Sequence, residues 1–310
     1  LFIAGVSWIY VSLSVFGGMP PPLAALATLL FCALLALYPA AAGALHVRFA
    51  PRTGWQRSLF FAALWTISEW LRGWMLTGFP WLATGYAQTP PSPLAGFAPV
   101  FGVYGLSFLS ALLAALLAQS VAEGRSGWRE KGIKGLKTTA FLIPLSITVL
   151  ILSSGGLLGT IRWTTADGPP IRVSLLQGNV AQDLKWRPEK FNDSLRTYYR
   201  LALDNPAQLT VLPETALPAF LEHVPPDYLD ALKQLAERER GDMLFGIALG
   251  GADGYANGAV SLGVSGQQRY SKSHLVPFGE FVPPGFSWFL ALVNIPMSDF
   301  TPGAARQPAL

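Results

Sequence analysis

The first half of the chain alternates long apolar runs with short polar connections. Five runs stand out: Leu1–Phe16, Leu23–Leu45, Ser58–Leu82, Leu94–Ala122 and Thr138–Ile161. A bilayer core about 30 Å thick takes roughly 20 residues of helix, and backbone inside lipid must satisfy its own hydrogen bonds. Each run therefore predicts a membrane helix. Beyond Ile161 the pattern changes. Thr164–Pro170 is polar and rich in Gly and Pro, as linkers are. Ile171–Gln177, Leu209–Leu212 and Met243–Leu249 are short apolar runs that predict strands. Glu189–Leu203 and Asp227–Arg240 predict amphipathic helices between them. Asn257–Val264 and Gln268–Leu275 predict a strand pair around Ser265-Gly266. Strands alternating with helices imply a sheet with helices packed on it, and ligands bind at the carboxyl ends of such strands. The expected organisation is a transmembrane helical domain over 1–161, a linker over 162–170 and an α/β domain over 171–310.

Charge sharpens this picture. The 310 residues are 51% hydrophobic and 13% charged, against about 25% charged in average proteins. Of the 22 Lys+Arg and 18 Asp+Glu, residues 1–161 hold nine and three, leaving thirteen and fifteen for the rest. The basic balance belongs to the membrane half and implies no nucleic-acid partner. Arg48, Arg52 and Arg57 lie between the second and third runs, and Arg125, Arg129, Lys131, Lys134 and Lys137 between the fourth and fifth. The other two connections, Gly17–Pro22 and Ala83–Pro93, carry no charge. Basic connections mark the cytoplasmic side, so the α/β domain is expected on the periplasmic or outer side. The single cysteine, Cys32, allows no intrachain disulfide. The chain starts at Leu1 in apolar sequence, and residues before it are expected to be missing.

Candidate chemistry lies in the second half. Glu214 follows an apolar strand and Pro213. Partial desolvation there would suit a general base; a helix N-cap or first-turn acid fits the same spacing. Lys272 ends a strand-like run. A lysine in an apolar pocket stabilises an oxyanion or activates a thiol, and an ordinary exposed strand lysine is the plainer reading. Glu280, beyond Pro277 and Gly279, sits in a rigid turn that either aims its carboxylate or leaves it solvated. His274 reads as structural. No His, Cys or carboxylate cluster has metal-ligand spacing, and no Gly-rich phosphate loop follows a strand, so no metal or cofactor is implied. Cys32 falls mid-run, where a thiol is a small apolar residue. Glu69 and Arg72 are helix neighbours. An ion pair within a span is expensive and often functional, but Trp65, Trp70, Trp74 and Trp81 favour an interfacial pair that orients the helix.

Several motifs converge on one family. They are Glu-Trp-Leu-Arg-Gly-Trp at 69–74, Leu-Thr-Gly-Phe-Pro-Trp-Leu at 76–82, Leu-Leu-Gln-Gly-Asn-Val at 175–180, Lys-Trp at 185–186, Pro-Glu-Thr-Ala-Leu-Pro at 213–218 and His-Leu-Val-Pro-Phe-Gly-Glu-Phe-Val-Pro at 274–283. Together they make the chain resemble apolipoprotein N-acyltransferases, bacterial inner-membrane enzymes with a periplasmic nitrilase-like domain. The resemblance implies a multi-pass α-helical membrane bundle joined to an extracytoplasmic α/β domain, an αββα sandwich of the carbon-nitrogen hydrolase kind. It implies a Glu, Lys, Cys site in which Glu214 is the general base, Lys272 holds the oxyanion and Glu280 supports them. Trp186 matches an aromatic residue at the site's mouth, and Tyr255 and Asn257 fall in the segment before the lysine strand. The family's nucleophilic cysteine and a final membrane helix lie in later sequence, so the chain is expected to be an internal fragment, inactive as written. The implied reaction is N-acylation of the N-terminal diacylglyceryl-cysteine of a prolipoprotein. It uses a phospholipid acyl donor, passes ping-pong through a cysteine thioester and needs no cofactor. The membrane half, with its Trp-rich connection Gly78–Tyr86, is expected to guide acyl chains in contact with membrane lipid.

Two other classes fit parts of the pattern. A membrane-tethered nitrilase-like amidase would use the same Glu and Lys but would not need so many spans. An inactive polytopic scaffold or transporter would account for the missing cysteine, but a transporter would more often show polar residues in several spans.

Overall fold

The first sixteen residues fold as short turns rather than one span: helices α1 (Phe2–Gly5) and α2 (Trp8–Val11), then a π-helical turn at Ser12–Phe16. The computed structural model describes residues 1–132, 138–251, 254–286 and 299–310; Lys134 and Lys137, used above for orientation, lie outside them. The chain divides into two units, Leu1–Ser14 with Pro20–Thr165, and Val15–Met19 with Ala166–Leu310.

In the first unit, α3 (Pro21–Phe49) opens on prolines, whose fixed φ suits a first turn, and ends before Pro51. Helices α4 (Gly54–Arg72), α5 (Ala98–Lys131) and α6 (Thr139–Leu158) follow. Among the described residues, three helical stretches are long and apolar enough to cross a membrane: Pro21–Phe49, Pro93–Arg129 and Thr139–Leu158. The run expected over Ser58–Leu82 instead stops at Arg72, and the reason lies in its charged side chains. Glu69 and Arg72 are 4% and 3% exposed, yet they do not pair with each other. Arg72 Nη1 donates to the carbonyl oxygens of Phe79 (2.9 Å) and Trp81. Glu69 Oε1 accepts from Thr84 N–H (2.9 Å), Thr84 Oγ1 (2.6 Å) and Trp65 Nε1 (3.0 Å). Buried polar groups are mostly paired; here Arg72 and Glu69 Oε1 take partners from the next loop and from Trp65, while Glu69 Oε2 has none among the described residues. That loop folds back through left-handed Leu76, Thr77 and Gly78.

The second unit is a mixed sheet. Its elements are β1 (Val173–Leu175), α7 (Gln182–Lys185), α8 (Pro188–Asp204), β2 (Leu209–Val211), β3 (Leu217–Phe220), α9 (Pro226–Arg238), β4 (Asp242–Gly251), β5 (Gly254–Gly263) and β6 (Gln268–Ser271). The order is β1-β2-β4-β5-β6, parallel from β1 to β4 and antiparallel beyond. Strand β4 is the axis. β5 covers one edge, while β2 pairs with Asp242–Leu244 and β3 with Ile247 and Ala248 on the other. Met243, Phe245, Ile247 and Leu249 alternate into the core, as period-two burial requires. They meet Leu195, Tyr198 and Ala202 of α8 and Leu232 and Ala236 of α9, residues at helical spacing on one face. Each fully buried large side chain contributes roughly 1.5–3 kcal/mol. β3 escapes the sequence pattern because it holds Pro218, which cannot donate to a ladder; Pro218 falls where the β3–β4 register shifts.

Candidate active site

Glu214 sits in the turn between β2 and β3, beside the middle of β4. The turn presses on the strand. A Cβ at Gly246 would lie 2.4 Å from Thr215 N and 2.7 Å from Glu214 Cα, so only glycine lets the turn approach this closely. Thr215 takes φ 50°, the left-handed region that costs a β-branched residue energy. Gly246 N–H donates to the Pro213 carbonyl at 3.3 Å and Leu212 N–H to the Leu244 carbonyl at 2.8 Å. The turn is thereby stitched to β4.

The other residues come from the antiparallel side of the sheet. Asn257 lies in β5 opposite Ala248. Lys272 comes just after β6, and its N–H donates to the Asn257 carbonyl at 2.8 Å. Glu280 closes a tight turn in which its N–H donates to the Val276 carbonyl at 2.8 Å. Four side chains then meet. Asn257 Nδ2 donates to Glu214 Oε1 at 2.5 Å and to Glu280 Oε1 at 2.7 Å. Lys272 Nζ donates to Glu280 Oε1 at 2.8 Å and lies 3.8 Å from Glu214 Oε1. Glu280 Oε2 accepts the Val276 N–H at 2.7 Å.

The two carboxylates are treated differently. Burial pushes the Glu280 carboxyl up, but the bonds from Lys272, Val276 and Asn257 and the lysine charge outweigh it and hold the pKa below its ordinary value. Glu280 is thus kept ionised with both oxygens engaged. Glu214 uses Oε1 alone; among the described residues its Oε2 accepts no hydrogen bond, and its side chain is 66% exposed. The desolvated base expected from the strand-end position is therefore not what this structure holds. The turn lifts the carboxylate to the end of the sheet, where few of the described residues cover it. An ammonium has three donors. One Lys272 N–H serves Glu280 and a second faces Glu214, which among the described residues leaves a third for a developing negative charge. The arrangement can take a proton at Glu214 and stabilise an oxyanion at Lys272.

The remaining expected residues fall around this network. Tyr255 lies two residues before Asn257 in β5, its ring against Phe220 and Phe300 and its hydroxyl on Asp299. The turn that holds Trp186 reaches the site through its neighbour, since Lys185 Nζ donates to the Glu214 carbonyl at 3.1 Å. Burial lowers the Lys185 pKa, and the Glu214 carboxylate partly offsets this. His274 is exposed. Cys32 is buried in α3 among Phe2, Val6 and Leu35. Among the described residues no His, Cys, Asp and Glu group could hold a metal ion. Sequence reading missed Lys185 as a site residue and also the stretch Phe300–Gly303. The latter's N–H groups donate to the carbonyls of Glu280 (Phe300, 2.9 Å), Tyr255 (Thr301, 2.8 Å) and Lys272 (Gly303, 2.9 Å). Only the turn signal of Thr301-Pro302-Gly303 hinted at it.

Comparison with known proteins places both halves. Residues 1–116 match the apolipoprotein N-acyltransferase N-terminal domain and residues 172–288 match carbon-nitrogen hydrolases. Over its whole length the chain is 46% identical to an apolipoprotein N-acyltransferase of Nitrosomonas europaea, 45% to one of Chromobacterium violaceum and 44% to one of Ralstonia nicotianae. It spans 60%, 58% and 57% of those relatives' lengths. A crystal structure of an N-terminal amidase aligns over 34% of this chain and 28% of that one, at 15% identity and a TM-score of 0.27, too slight a likeness to argue from. With its first 116 residues matching the N-acyltransferase N-terminal domain, residues 172–288 matching carbon-nitrogen hydrolases, and identity along its whole length to part of three such relatives, the chain is similar to apolipoprotein N-acyltransferases.

Proposed function

We propose that the chain supplies the base, the oxyanion-holding lysine and the membrane scaffold of an enzyme that N-acylates the N-terminal diacylglyceryl-cysteine of bacterial lipoproteins, using a phospholipid as acyl donor. The observation that carries this is the Glu214–Asn257–Lys272–Glu280 network within the carbon-nitrogen hydrolase match, on a chain whose other half matches the N-acyltransferase N-terminal domain. In the first half-reaction Glu214 Oε2 takes a cysteine thiol proton and the thiolate attacks the acyl ester carbonyl. Lys272 donates to the oxyanion. The ester C–O bond breaks, Glu214 returns the proton to the departing lysophospholipid alcohol, and a thioester remains. In the second, the neutral lipoprotein α-amine attacks the thioester carbonyl and Glu214 accepts its proton; the C–S bond breaks to leave the amide, and Glu214 returns the proton to the departing thiolate. Glu280 is not the base because both its oxygens are engaged.

Cys32, buried among apolar side chains, is not the nucleophile; the proposal assigns the thiol to sequence outside residues 1–310. Residues 1–161 form the membrane domain, 162–170 the linker and 171–310 the catalytic domain, which faces the periplasm from the inner membrane. This orientation takes α4 as a further crossing helix, so that Arg48, Arg52 and Arg57 about the α3–α4 connection and Arg125 and Arg129 at the end of α5 lie on one side of the membrane. The test uses the whole gene product in lipid nanodiscs, incubated with radiolabelled phospholipid. Hydroxylamine-labile label should appear in wild type and Cys32→Ala and be lost in Glu214→Gln and Lys272→Met. Label that survives Glu214→Gln, or vanishes with Cys32→Ala, would overturn the assignment.

A further inference from the structure

Lys185 is a half-buried cation that the reaction scheme does not use. It ends α7, a four-residue helix whose backbone bonds are otherwise local: Leu184 N–H to the Ala181 carbonyl and Arg187 N–H to the Leu184 carbonyl. Its ammonium crosses to the Glu214 carbonyl at 3.1 Å. That carbonyl belongs to the strained turn. Among the described residues, the backbone donors of the turn's surroundings go to Pro213, which accepts from Ala216 and Gly246, and Lys185 alone donates to Glu214 O. We propose that Lys185 is a positioning residue, a latch that fastens the α7 turn and Trp186 to the backbone of the base and holds Glu214 Oε2 where a thiol can reach it. A left-handed Thr215 favours relaxation of the turn, and the Lys185 bond opposes it. The ammonium acts on the main chain of Glu214, so it leaves the carboxylate free to take a proton.

This role rests on Glu214 as the base, but the latch itself can be measured without catalysis. Hydrogen–deuterium exchange on the whole protein in nanodiscs would compare wild type with Lys185→Met and Lys185→Arg. The Met variant should speed exchange in peptides covering both 181–187 and 212–217, with β4 and β5 unchanged, and the Arg variant, which keeps a donor, should restore protection. In thioester formation the Met variant should lose on the order of ten- to a hundred-fold in kcat, as small misplacements of reacting groups do, with KM for phospholipid little changed and the Arg variant recovering most of the rate. Unaltered exchange at 212–217 would overturn the latch. Faster exchange there with an unchanged kcat would overturn its positioning role. An active Glu214→Gln would instead remove the base assignment and leave the exchange result to stand by itself.

Discussion

Replacing Glu280 with Gln tests the network where it is tightest. Three donors converge on this carboxylate: Lys272 Nζ at 2.8 Å and Asn257 Nδ2 at 2.7 Å on Oε1, and Val276 N–H at 2.7 Å on Oε2. Gln offers one oxygen. Turned toward Lys272 and Asn257, it leaves its amide NH₂ against the Val276 N–H; turned the other way, it sets NH₂ against the ammonium. Either way donor meets donor on a side chain only 12% exposed. A hydrogen bond to a charged group contributes about 1.5–3 kcal/mol, and a buried donor left unpaired costs about 1–3 kcal/mol. Lys272 is 33% exposed, so solvent recovers part of the loss. We expect a cost of about 3 kcal/mol, which for a domain of this size lowers Tm by roughly 6–12 °C. Lys272 then turns to Glu214, its other anionic neighbour among the described residues at 3.8 Å, and engages the proposed base. Thioester formation should fall on the order of a hundred-fold, equivalent to about 2.7 kcal/mol. The assay is a double-mutant cycle of Glu280→Gln and Lys272→Met, read by thermal unfolding. Contacting residues should couple by about 1 kcal/mol or more. An additive cycle, or a Glu280→Gln protein within about 0.5 kcal/mol of wild type, would refute the reasoning.

Three further outcomes follow from the same geometry. Gly246→Ala places a methyl against backbone atoms of Thr215 and Glu214; we expect about 1–3 kcal/mol of destabilisation and a lower thioester yield, and unchanged yield would show that the turn can give way. Arg72→Met leaves the Phe79 and Trp81 carbonyls without their donor, at about 1–3 kcal/mol for each acceptor stranded, so thermal unfolding in detergent should begin earlier and protease should cut the 75–84 loop faster. The pH response has a definite sign. The Glu280 pKa is lowered from 4.5, so its contribution is complete above that value and fades as pH falls through the lower folded value. Stability measured on acidification should therefore drop less in Glu280→Gln than in wild type.

Much of the placement of the candidate residues was legible in the sequence because strand ends and turns have local signatures. A short apolar run ending in Pro213-Glu214 marked the end of β2, and Pro277, Phe278 and Gly279 marked the turn that carries Glu280. Helices α8 and α9 were visible from one-sided apolar spacing, which is a property of neighbouring residues. The exceptions involve partners far along the chain. Glu69 and Arg72 stand three residues apart and read as a pair, yet each is held by a loop seven to fifteen residues on. β3 was hidden by Pro218, and its pairing depends on how far β2 reaches along β4. The exposure of Glu214 depends on what covers a strand end.

The sequence alone therefore determined the membrane and α/β halves, the order of most elements, and which residues carry charge at strand ends, because hydrophobic periodicity and turn chemistry act over a few residues. Only the tertiary structure decided that Asn257 joins the two carboxylates, that Glu280 and not Glu214 is saturated with donors, and that Lys185 reaches the main chain of Glu214. Those contacts bridge 43, 23 and 29 residues, and no local pattern encodes which distant side chains a folded sheet brings within hydrogen-bonding distance.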